Sequence, residues 1–243
     1  MSGIQVSEER GVRYLHFGSP WVQGAMRIAR PSALELEYTR ELMLPLLLRD
    51  DEAWPRSVLQ VGLGAASVTR FLDRHVPAAR QTIVEVSADV VQAARQFFKL
   101  PEAPTLVMAD GADYLVGTAA RFDLIVVDGF DDLGRAGRLD TAAFYLECAR
   151  HLGRKGMVAV NVLTRRKTAA PVVGRMREAF GERVLELAPS TAGNVVLVGA
   201  VGPKIHASLE ALREAATRLK ARTGLDLRPT LSRLAARGGQ LEL

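Results

Sequence analysis

Three carboxylates fall within five residues in Asp128-Gly-Phe-Asp131-Asp132, directly after the apolar run Leu124-Ile-Val-Val127. Like charges this close repel one another, so the cluster predicts a cation between them. Asp128 ends a buried run, and α/β sheets bind their ligands just outside the carboxyl ends of such strands. Asp131 and Asp132 have a competing role as turn residues ahead of Gly134.

A second set of residues lies upstream. Gly62-Leu-Gly64 follows another apolar run, and glycines at that point let the chain turn sharply and let a ligand approach the backbone. Gln60 stands within the same strand end and is counted with these nucleoside-binding candidates. Glu85 ends the next apolar run about twenty residues on, where a carboxylate can accept both hydroxyls of a ribose. Its competing role is to cap the helix that starts near Asp89. Asp110-Gly111 closes a third run; Asp110 there can accept from an adenine amino group, or serve as a helix N-cap, or both. Tyr38 recurs with Leu34 and Leu42 on an apolar helix face, and Tyr145 and Cys148 read as packing. His75 and His151 sit near helix ends, where positive charge is favoured in any case. Asn161 either faces the ligand or satisfies the backbone. No spacing of side chains suggests a metal site.

These residues need a scaffold, and the periodicity supplies one. Short apolar runs at 57–61, 82–86, 106–109, 124–128 and 157–163 are continuous rather than alternating, the mark of parallel strands covered on both faces. Helical stretches at 65–74, 89–98, 112–117, 141–152 and 169–180 separate them, which predicts a doubly wound sheet. The runs 183–187 and 194–200 are joined by a turn too short for a crossover, so they must pair antiparallel. The expectation is a seven-stranded Rossmann-like sheet of the class I methyltransferase type, closed by an antiparallel hairpin. Ahead of it, residues 11–29 read as two strands around Gly18-Ser-Pro20, then a helix runs from Ser32 to about 48 and a charged linker covers 49–52. A helix at 206–222 and a weakly ordered tail follow. The chain thus divides into a hairpin region 1–30, a nucleoside-binding unit 31–202 and a C-terminal segment 203–243.

Bulk properties exclude several classes. Of 243 residues, 48% are hydrophobic and 24% charged, an ordinary globular balance. No apolar run approaches the roughly 18 residues of a membrane span, and the acidic start lacks a secretion signal. With one cysteine there is no internal disulfide. A cytoplasmic protein is expected. The net charge of +5 comes largely from residues 204–243, with eight Lys/Arg against four Asp/Glu, which a basic amphipathic helix explains without nucleic acid.

Taken together, these motifs resemble the spermidine/spermine synthase family, the polyamine aminopropyltransferases, over about residues 10–200. The likeness rests on the lead-in hairpin, the Tyr38 helix, the glycine loop 62–67, Glu85, Asp110-Gly111, the Asp128-x-x-Asp131 pair and Phe144-Tyr145. It implies transfer of an aminopropyl group from decarboxylated S-adenosylmethionine to a small-molecule amine, with no tightly bound cofactor, in a homodimer. It makes Asp128 the catalytic carboxylate, places Asp131 and Tyr38 on the amine, and gives Glu85 and Asp110 to the adenosine. The chain departs from the family where Ala65 replaces the loop aspartate, where Ser190-Thr191 stands near a usual tyrosine, and where Leu44-Pro45 replaces a histidine. Ala65 leaves room for a carboxylate, which keeps a methyltransferase using intact S-adenosylmethionine as an alternative. A non-catalytic adenosyl-binding homologue is another.

Overall fold

The computed structural model describes residues 3–18, 21–49, 54–131, 133–164, 168–234 and 240–243. Asp132, Ser19, Pro20, most of the 49–52 linker and part of the tail therefore lie outside the described residues.

The main sheet follows from the apolar runs. Strands β4 (Ser57–Val61), β5 (Arg80–Glu85), β6 (Thr105–Met108), β7 (Phe122–Val127), β8 (Leu152–Leu163), β9 (Val184–Glu186) and β10 (Asn194–Ala200) lie in the order β6-β5-β4-β7-β8-β10-β9. The first five are parallel, and β10 pairs antiparallel with both β8 and β9, as the short turn requires. Helices α3 (Ser67–His75), α4 (Ala88–Phe97), α5 (Gly111–Gly117), α6 (Ala142–His151) and α7 (Ala170–Phe180) connect them. The unbroken apolarity of β7 now has a cause. Leu124 and Val126 face one hydrophobic cluster while Ile125 and Val127 face another, so both faces are dry.

Two expectations about the flanks need correcting. The N-terminal sheet has three strands, β1 (Ile4–Glu9), β2 (Val12–Phe17) and β3 (Gly24–Arg27), rather than two. The two strands expected on either side of 18–20 are β2 and β3, which pair antiparallel; β1 adds a further hairpin that turns at Arg10-Gly11, both with positive φ. The first strand hides in an acidic stretch whose Ile4 and Val6 alternate inward against Leu15 and Phe98. The helix expected over 32–48 is two short ones, α1 (Glu37–Glu41) and α2 (Pro45–Leu48), because Pro45 has no N–H with which to continue the first.

The tail is also structured. Strand β11 (His206–Ser208) precedes α8 (Leu209–Thr223), which Ser208 caps by accepting from the Ala211 N–H at 3.1 Å. Gly224, at φ +76°, stops it. Then α9 (Arg228–Arg233) leads to β12 (Gln240–Glu242), which pairs antiparallel with β11. Leu241 and Leu243 are buried in the same cluster as Leu124. Among the described residues no helix is long and apolar enough to cross a membrane.

Candidate active site

Strand order reverses between β4 and β7, and a cavity of about 1260 Å³ opens at their carboxyl ends. Gly62, Gly64, Glu85, Asp110, Gly111, Asp128, Asp131 and Tyr38 all line it. Eight of the nine residues singled out from the sequence thus meet in one space. Gln60 does not. Its amide donates to the Gly62 carbonyl at 2.8 Å and accepts from the Thr69 hydroxyl at 2.8 Å, so it braces the glycine loop from behind.

The glycine loop is shaped by contact with β7. Gly62 has φ +91°, and a Cβ there would run into the Asp128 carbonyl. The Asp128 N–H in turn donates to the Val61 carbonyl at 2.9 Å. The two strand ends that carry the loop and the acid are therefore in direct register. Ala65 corrects an expectation. It does not line the cavity; its methyl group is buried against Gly24 of β3, close enough that a Cβ on residue 24 would clash with it.

At one end, the acids are held by backbone. Glu85 is buried and accepts from the Leu63 N–H at 2.8 Å and the Ser87 N–H at 2.9 Å. It does not cap α4, because Ser87 does so through its own hydroxyl. Each oxygen keeps a lone pair for a sugar hydroxyl. Asp110 does cap α5, accepting from the Ala112 and Asp113 N–H groups at 2.8 and 3.1 Å, and Arg138 lies 3.3 Å from it. Val61, Val84, Val90 and Leu139 supply apolar walls beside these acids.

At the other end, Asp128 Oδ1 accepts from the Asn161 side-chain amide at 2.7 Å. Asn161 Oδ1 accepts from the Asn194 amide at 2.9 Å. A carboxylate can only accept, so it fixes the orientation of both amides along the line. Burial pushes the Asp128 carboxyl up to about 6, against the hydrogen bonds from Asn161 and Tyr38 that pull it down. Burial, followed by the neighbouring Asp128 charge, raises the Tyr38 phenol well above its usual value. Its hydroxyl also lies 3.4 Å from the Gln23 carbonyl. Asp131 plays its turn role, accepting from the Leu133 and Arg135 N–H groups at 3.0 and 2.8 Å. The chain's own Arg135 lies beside it, at 2.7 Å.

Sequence reasoning missed Gln23, Glu35, Glu37, Arg40, Arg138 and Asn194, which also line the cavity. Glu37 and Arg40 are polar positions of the helix that carries Tyr38, and Asn194 carried no signal beyond opening a strand. Asn161, left open between two roles, faces the cavity. Tyr145 donates to Asp140 at 3.1 Å, Cys148 is buried, and His75 packs on Phe71, all away from the cavity.

Comparison with known proteins agrees with this geometry. Residues 37–181 match the family model described as the spermine/spermidine synthase domain. A polyamine aminopropyltransferase of Chromobacterium violaceum is 37% identical over 237 residues, 96% of this chain and 90% of that protein. Its counterpart in Neisseria meningitidis is 34% identical over 236 residues, covering 96% and 89%. Among solved structures, a probable spermidine synthase from Corynebacterium glutamicum superposes with a TM-score of 0.72 at 21% identity, covering 92% and 91%. Human methyltransferase-like protein 13 in complex with SAH gives 0.68 at 21% identity over 84% and 95%, a likeness of fold.

Proposed function

The chain belongs to the spermine/spermidine synthase family, and from that premise we propose that it moves an aminopropyl group from decarboxylated S-adenosylmethionine to a small amine. The observation that carries this reading is Asp128, a cavity-facing carboxylate held by an amide rather than by a cation. It shares one cavity with Glu85 and Asp110, the candidate sugar and adenine ligands.

The roles follow from the chemistry. Glu85 takes the ribose hydroxyls while the glycine loop lets the nucleoside lie against the backbone. Asp110 accepts from the adenine amino group with the capacity left over from its cap. The acceptor enters as an ammonium, and acidic side chains favour a cation in the cleft. Asp128 takes a proton from it, freeing the nitrogen lone pair. That nitrogen attacks the aminopropyl carbon bonded to sulfur; the new C–N bond forms as the C–S bond breaks. The sulfonium leaves with the bonding pair as neutral methylthioadenosine, and the proton stays on Asp128 until solvent removes it. A carboxyl near 6 suits this task, being mostly ionised at neutral pH yet basic enough to accept. Tyr38 holds Asp128 from the α1 side, and Asp131 meets the acceptor's second charge once Arg135 yields.

The decarboxylated donor is favoured over the intact one because Ala65 is buried against Gly24 and does not face the cavity. Incubation with decarboxylated S-adenosylmethionine and a panel of diamines and triamines should release methylthioadenosine. Release from none of them, or tighter binding of intact S-adenosylmethionine, would overturn the reading.

A further inference from the structure

Four acids stand at the amine end of the cavity: Asp128, Asp131, Glu35 and Glu37. Among the described residues, all but Asp128 are paired with an arginine. Arg27 holds Glu35 through Nε at 3.0 Å, Arg135 holds Asp131 at 2.7 Å, and Arg233 of α9 holds Glu37. The pairs at Asp131 and Glu37 differ in kind. The Arg135 side chain is 68% exposed and bonds one acid, so a competing ammonium can displace it into water. Arg233 is anchored at both ends. Its second nitrogen bonds Glu41, whose side chain is fully buried and whose other oxygen has no partner. Withdrawing Arg233 would strand that buried charge. Glu37 is further saturated by the Thr191 N–H and hydroxyl, each at 3.1 Å. One glutamate thereby joins α1, the turn before β10 and the C-terminal helix.

Resting on the aminopropyl-transfer reading, we propose that Arg233 is a specificity-determining residue. By locking Glu37 it leaves the acceptor two usable carboxylates, Asp128 and the displaceable Asp131, and so favours short diamines over triamines. A triamine carries a third ammonium, which finds at Glu37 a carboxylate already spoken for. This selectivity is by withholding a contact, the form of discrimination in which the wrong partner keeps an unpaired charge.

The test removes the lock without leaving a buried charge. In the double variant Arg233→Met/Glu41→Gln, KM for a triamine should fall about tenfold or more, the worth of one charge-assisted hydrogen bond. Its KM for a short diamine should change far less, and kcat for both should hold. Adding Glu37→Gln should return the triamine KM to the wild-type value. A parallel rise in both KM values, a gain that persists without Glu37, or no gain in a protein with a normal melting transition each overturns the proposal. Should the double variant not fold, Glu37→Gln alone decides: it should leave the triamine KM unchanged, and a marked rise would mean Glu37 already binds the acceptor. If the wild type transfers to no amine at all, the parent reading fails separately. Calorimetric affinities for diamine and triamine, measured with methylthioadenosine present, then judge Arg233 by the same pattern.

Discussion

At the nucleoside end of the cavity the acids are tied to main-chain N–H groups, Glu85 to Leu63 and Ser87, Asp110 to Ala112 and Asp113. At the amine end they hang largely on other side chains: Asp128 on Asn161, Glu35 on Arg27, Glu37 on Arg233. The difference has a consequence for what each end can become. Groups held by backbone are set by the fold, and they persist while the strands and helix starts persist. Groups held by side chains are reset by one substitution at a partner.

The sharpest way to break the comparison is at Asp128. Asp128→Asn should cost about 10²–10⁴-fold in kcat, the range of a lost general base. Methylthioadenosine affinity, governed by the other end, should stay as it is. The pH dependence gives a second readout. The ionised form is the active one, so kcat/KM should rise with pH through about 6 in the wild type, and that limb should vanish in the variant. Stability should move the opposite way. The folded-state value lies above the ordinary 3.8, so the fold binds this proton more tightly than the unfolded chain does. Asp128 therefore weakens the fold progressively as pH rises from near 4 through about 6. The variant should melt higher than wild type at pH 8 and lose that advantage near pH 4. An equal loss of nucleoside binding would show that the two ends are not separable.

The same division explains what could be read in advance. The central strands were legible because burial on both faces forces unbroken apolar runs, and the closing hairpin because its turn is short. Glu85, Asp110 and Asp128 were legible because each ends such a run. Strand β1 was not, because Ile4 and Val6 are its only inward residues and the rest is polar and solvated. Pro45 breaks a helix whose apolar spacing continues straight through it. Glu37 and Asn194 depend on partners 196 and 33 residues away, Arg233 and Asn161, and pairing at that distance leaves no local trace. Gln60 was misread because strand-end position alone does not say which way a side chain points. The β11–β12 pairing likewise comes from two three-residue strands, below the length at which a pattern can be recognised.

A smaller effect is expected at the nucleoside end. Glu85→Gln replaces an acceptor of two N–H bonds by an amide that can accept at only one atom. Methylthioadenosine affinity should fall about 10–100-fold, as for a lost charge-assisted bond. Because Glu85 also ties down the loop at Leu63, donor KM should rise with little change in the acid limb of the pH profile. Isothermal titration and a pH series separate the two. A shift of the limb instead would link Glu85 to Asp128 and weaken the division between the ends.

The mildest test concerns the amide line behind Asp128. Asn194→Ala removes the donor to Asn161 Oδ1 while leaving the backbone of β10 its pairing with β8. One neutral hydrogen bond is worth about 0.5–1.5 kcal/mol, so kcat/KM should drop only about 2–10-fold. The direction of the pH change distinguishes a positioning role from general damage. The bond from Asn161 lowers the Asp128 value, so an amide freed to turn away must let it rise. The acid limb should therefore move to higher pH, with activity at pH 8 nearly restored and nucleoside affinity untouched. A uniform loss across the pH range would instead mean that the substitution damages β10 generally and does not act through Asp128, since the Asn194 N–H keeps its bond to the Ser190 hydroxyl in the variant.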